Sequence, residues 1–68
     1  MPEYYAFVNL ERAKELGIDP KSIMGPWDAR NSKIVDYMFP YPINQRDLQE
    51  YQRLERDTRY LKISVAGN

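Results

Sequence analysis

The stretch NQRDLQEYQRLERDTRYLKISVAG, residues 44–67, joins the longest helical pattern of the chain to its clearest strand. Asn44 stands where a helix cap is wanted, and Gln45 to Arg59 reads as a helix with apolar residues Leu48, Tyr51 and Leu54 at every third position. That stripe is narrow. It predicts a helix lying on a sheet with most of its circumference in water. From Tyr60 to Ala66 the period becomes two, with Leu61, Ile63 and Val65 expected to face inward, Lys62, Ser64 and Ala66 outward, and Gly67 ending the run.

Working back from this pair, Lys33 to Phe39 also alternates, setting Val35, Tyr37 and Phe39 against Ile34, Asp36 and Met38. Pro40 and Pro42 are expected to end that strand, because neither can donate to a ladder. Tyr4 to Val8 reads as a first strand. Asn9 can then cap a two-turn helix, Leu10 to Leu16, which Gly17 ends in a left-handed conformation with Ile18 folding back on the last turn. Asp19-Pro20 starts a further helical turn that Gly25-Pro26 cuts short, and Trp27 to Ser32 reads as a loop.

The order β-α-β-α-β implies one α+β domain over residues 1–68, a small two-layer sandwich with a three-stranded sheet covered on one face. If the strands of its last strand–helix–strand unit lie in parallel, that unit is expected to be right-handed. No internal repeat or linker divides the chain.

Composition restricts the chemistry. A chain of 68 residues with no histidine and no cysteine lacks the commonest general acid/base, the thiolate nucleophile, the usual zinc ligands and any disulfide. The aspartates are scattered, the serines have no histidine partner, and the glycines stand too far apart to form a phosphate loop. These absences argue against an enzyme, a cofactor or a metal site. Ten basic and ten acidic side chains balance, so no long-range field favours nucleic acid. No window approaches the roughly 20 apolar residues that span a bilayer, and the start of the chain has no leader pattern, so a cytoplasmic location is expected. A core this small stands to gain from association.

Two sets of residues remain as candidates for binding. On an ideal helix Arg46, Gln49, Arg53, Arg56 and Tyr60 fall within about 80° of one another, opposite the apolar stripe. They are placed to meet acidic partners or phosphates. Glu50 and Asp57, four residues after Arg46 and Arg53, are equally placed to pair with those arginines and leave only a solvated surface. The second set is aromatic: Trp27 and Tyr41 sit in proline-flanked loops, where a large ring either covers a sheet edge or meets a partner. The expectation is a non-enzymatic accessory subunit or adaptor that docks on a larger protein, or on itself, through Trp27, Tyr41, Arg46, Arg53, Arg56 and Tyr60. Its alternative is a binder of RNA or single-stranded nucleic acid that stacks Tyr60 beside the arginines.

Phe39-Pro40-Tyr41, the helical Glu50-Tyr51-Gln52-Arg53-Leu54 and the strand Leu61 to Val65 bear a likeness to the small linker modules of phycobilisomes. The likeness covers under half the chain, and Asp57-Thr58-Arg59 stands where those modules carry a glycine pair. It is not taken as membership, and it would imply an assembly role.

Overall fold

The most apolar run of the chain takes the centre of the sheet. In a computed structural model, which describes residues 3–22 and 32–66, strand β1 (Glu3–Asn9) pairs antiparallel with β2 (Val35–Tyr41) on one side and β3 (Tyr60–Ala66) on the other. Helix α1 (Leu10–Leu16) follows β1 directly, a 3-10 turn covers Pro20–Ser22, and helix α2 (Gln45–Glu55) connects β2 to β3. The described elements thus form an α+β fold in the order β-α-β-α-β. Because β2 and β3 are both antiparallel to β1, they run parallel to each other with β1 between them.

Consecutive residues of a strand face opposite ways, and β1 is buried on both sides: Ala6, Phe7 and Val8 are all core. On the side of Phe7, α2 lays Leu54 and half-buried Tyr51 against Phe7 and Phe39. Phe39 and Tyr51 meet edge to face at 5.8 Å, as do Phe7 and Phe39. On the side of Val8 a second cluster joins Val8, Ala13 of α1 and Ile34, with Ile18, Leu61 and Ile63 around it. The expectation of one covered face is therefore extended: α2 forms the second layer, and α1 caps part of the opposite face.

Both ends of α1 follow the sequence. The Asn9 side chain accepts from the Arg12 N–H at 3.0 Å, and Gly17 takes φ 69°, while the Ile18 N–H reaches back to the Ala13 carbonyl at 2.9 Å. At α2 the match is partial. Asn44 occupies the cap position, but its side chain makes no cap bond. Tyr51 and Leu54 point inward, and Leu48, expected beside them, remains 38% exposed at the flank. The helix also ends at Glu55, short of Arg59, because the Asp57 carboxylate bonds the Arg59 N–H at 3.0 Å and sets a turn in place of a further helical one.

Two main-chain bonds fix which way the ladders point. Asn9 N–H donates to Ile34 C=O at 2.7 Å and Leu10 N–H to Arg59 C=O at 3.1 Å. Odd-numbered residues of β1 therefore direct their backbone groups to β2, and even-numbered ones to β3. Through the register Tyr5↔Phe39 and Phe7↔Tyr37, this turns the backbone of Met38 and Pro40 away from the sheet. Pro40 has no N–H to lose there, so β2 runs on to Tyr41 where proline was expected to stop it. The register slips between Phe7 and Val8, leaving Asp36 as an unpaired bulge residue. That bulge also corrects the expected alternation, because Val35 packs with the Val8 cluster while Tyr37 and Phe39 pack with Phe7.

Candidate functional site

The outward face of α2 carries the arginines. The core side chains Tyr51 and Leu54 fix the helix's rotation, which leaves Arg46, Gln49 and Arg53 on the far side and Arg56 at its C-terminal cap. All four are exposed, and Arg53 and Arg56 line an open depression of about 600 Å³ with Gln49, Glu50 and Gln52. Among the described residues, Arg46, Arg53 and Arg56 make no ion pair or side-chain hydrogen bond. The close ion pairs Arg46–Glu50 and Arg53–Asp57 that the sequence allowed are not formed, and the Arg53 charge acts on Asp57 only from a distance. Asp57 lies beyond the last helical turn and is gripped by Arg59 instead, at 3.0 Å to Nε and 2.7 Å to the terminal nitrogen. The Arg59 side-chain hydrogen bonds, then the bond from its main-chain N–H, pull the Asp57 carboxyl down to about 2.

Tyr60 does not belong to this stripe. It begins β3, so its ring sits on the α2 side of the sheet, edge-on to Tyr37 at 5.8 Å, and its hydroxyl donates to Asp36 at 2.9 Å. Tyr41, at the far end of β2, is 55% exposed and meets Tyr5 edge to face at 5.7 Å, just before a cis Tyr41–Pro42 peptide. Trp27 lies outside the described residues.

Two polar clusters escape a reading of the sequence alone. Asp36, pushed toward Tyr60 by the bulge and with 22% of its side chain exposed, accepts from Arg12 at 2.6 Å, from Asn9 at 3.1 Å and from Tyr60. Partial burial raises its pKa, but the hydrogen bonds from Arg12, Asn9 and Tyr60 outweigh that and hold the carboxyl below its ordinary value. The bond to Asp36 raises the Tyr60 hydroxyl in return. The second cluster surrounds Lys62, which donates to Glu55 at 2.6 Å and to the Tyr51 hydroxyl at 3.0 Å and lies 5.3 Å from the ring centres of Tyr5 and Tyr51. These bonds, that to Glu55 first, raise the Lys62 pKa. Both clusters tie elements together, and their charged groups are already satisfied. No bulge is visible in a two-residue period, so nothing in the sequence marked Asp36.

Among the described residues no three acidic side chains gather in the manner of a metal site, and no helix is long and apolar enough to cross a membrane. No family model matches the chain, and neither does any curated protein or solved structure. The likeness to phycobilisome linkers thus gains no support.

Proposed function

We propose that this chain is a non-enzymatic cytoplasmic adaptor or accessory subunit that docks on an acidic surface of a larger protein partner through the arginine face of α2. One observation carries the reading: Arg46, Arg53 and Arg56 line up on the side of α2 away from the core, and none of them forms an ion pair among the described residues. An arginine in water keeps its fork of donors available for bidentate contact with carboxylates, and arginine is common at interface hot spots. Tyr41, more than half exposed, supplies an aromatic anchor. Trp27 enters as a sequence-based candidate for the same role. The nucleic-acid alternative needed a tyrosine stacked beside the arginines, and Tyr60 is instead packed on Tyr37 and bonded to Asp36.

Capture from native lysate on the immobilised chain tests this, with nuclease-treated and untreated arms. The wild type is compared with Tyr41→Ala and with the Arg53→Glu/Arg56→Glu double variant, whose folding is checked by circular dichroism. Capture that survives nuclease and is lost in the double variant is the expected result. Capture that nuclease abolishes, or that the charge reversal leaves intact, would sink the reading.

A further inference from the structure

The two outer edges of the sheet are not equivalent. On β2 the outward positions are Met38, which can donate, and Pro40, which cannot, and the bulge at Asp36 breaks the run. Proline and a bulge are devices by which edge strands avoid pairing with another chain. β3 has neither proline nor bulge, and its one charged side chain, Lys62, is bonded to Glu55 and Tyr51 of its own chain. The ladder parity set by Leu10 and Arg59, with the register Val8↔Leu61 and Ala6↔Ile63, commits the backbone of Leu61 and Ile63 to β1. It turns the N–H and C=O of Lys62, Ser64 and Ala66 outward, where no described residue meets them. Tyr60 offers only its carbonyl, since its N–H bonds Asp57 C=O at 3.1 Å.

We propose that β3 is a homodimerisation edge: two copies pair β3 against β3, antiparallel about a twofold axis at Ile63, to make one continuous six-stranded sheet. Full overlap of the seven-residue strand places the axis at its middle residue, Ile63. Lys62 then lies opposite Ser64 of the second copy, as a pair that exchanges both main-chain bonds. Ile63 lies opposite Ile63, a pairing that suits cross-strand contact. Charge selects this register. Lys62 is the one charged residue of β3 and is neutralised within its own chain by Glu55, whereas centring the axis on Lys62 would set two lysines face to face. Because the β2 edges of the pair remain guarded, assembly closes at two copies and does not propagate. This inference stands apart from the arginine docking reading and fails or survives separately.

Sedimentation equilibrium on the full chain should give twice the 8.1 kDa monomer mass at high concentration. Ser64→Lys, which sets like charges opposite each other at Lys62, should weaken the dimer by roughly tenfold, and Ser64→Glu should tighten it. Ser64→Pro removes an outward N–H at a position equivalent to Pro40 and should leave only monomer; should that variant misfold, the charge pair decides. Amide exchange of Lys62 and Ser64 should slow as concentration rises while that of Met38 does not. A monomer at millimolar concentration, a higher oligomer, equal affinity in the two charge variants, or protection at Met38 instead would each overturn the proposal.

Discussion

Asn9 serves two elements at once: its Oδ1 caps α1 through the Arg12 N–H, and its Nδ2 donates to Asp36 on β2 at 3.1 Å. Asn44, at the corresponding position of α2, has extended backbone angles suited to a cap, but its side chain makes no such bond. The same residue type in the same local pattern therefore carries different weight. Asn9→Ala removes a cap and one hydrogen bond to a carboxylate and should cost about 1–2 kcal/mol, whereas Asn44→Ala should cost less than about 0.5 kcal/mol. Urea denaturation midpoints of the two variants check this, and equal losses would mean that the caps are equivalent after all. The cap positions were legible in the sequence because residue type and neighbouring pattern mark them. Which asparagine would bond was not legible, since that depends on Asp36 arriving from 27 residues away to orient Asn9.

The elements themselves followed from local signals: the two-residue period of Tyr60 to Ala66, the cap and glycine that frame α1, and the apolar spacing of α2 all describe what the structure contains. Where the reading slipped, a side chain or a neighbouring strand outweighed periodicity. Asp57 ended α2 early by bonding Arg59, and this moved Tyr60 off the arginine stripe and onto Tyr37. The bulge at Asp36 moved Val35 across the sheet. The rotation of α2 was also undetermined, because Leu48 and Leu54 lie about 60° to either side of Tyr51 and either could have turned inward. The core chose Leu54, which is 3% exposed. Leu54→Ala should therefore destabilise the protein by about 2–4 kcal/mol and Leu48→Ala by under about 1 kcal/mol. Thermal unfolding of both variants measures the difference. A larger loss at Leu48 would show that the helix packs with the opposite rotation.

Across the whole molecule, Asp36 on β2 and Tyr60 on β3 share one hydrogen bond that spans the sheet, and it contributes at both ends of the pH range in which the fold is stable, beside Asp57 on the acid side and Lys62 on the alkaline side. Asp36 has a folded pKa below its ordinary 3.8, so the unfolded chain binds the proton more tightly. Its contribution is complete above about pH 4 and is lost as pH falls through the depressed folded value. Tyr60 behaves in the opposite sense: its folded pKa lies above 10.0, so its contribution is complete below that pH and is lost as pH rises through the raised value. Lys62, raised by Glu55 and Tyr51, extends the alkaline limb further. Melting temperature should accordingly hold a plateau between about pH 4 and pH 10 and fall on both sides. Tyr60→Phe keeps the ring against Tyr37 and removes only the hydroxyl, so within the plateau it should cost about 1 kcal/mol of stability and lower the melting temperature, delay the alkaline fall until Lys62 titrates, and let the Asp36 carboxyl rise toward its ordinary value. Circular dichroism melts from acid to alkaline pH, with the Asp36 carboxyl followed by NMR, test both halves together. If the alkaline limb and the Asp36 titration are both unchanged in Tyr60→Phe, the hydroxyl and the carboxylate do not meet in solution, and the bulge that brings them together has been assigned the wrong role.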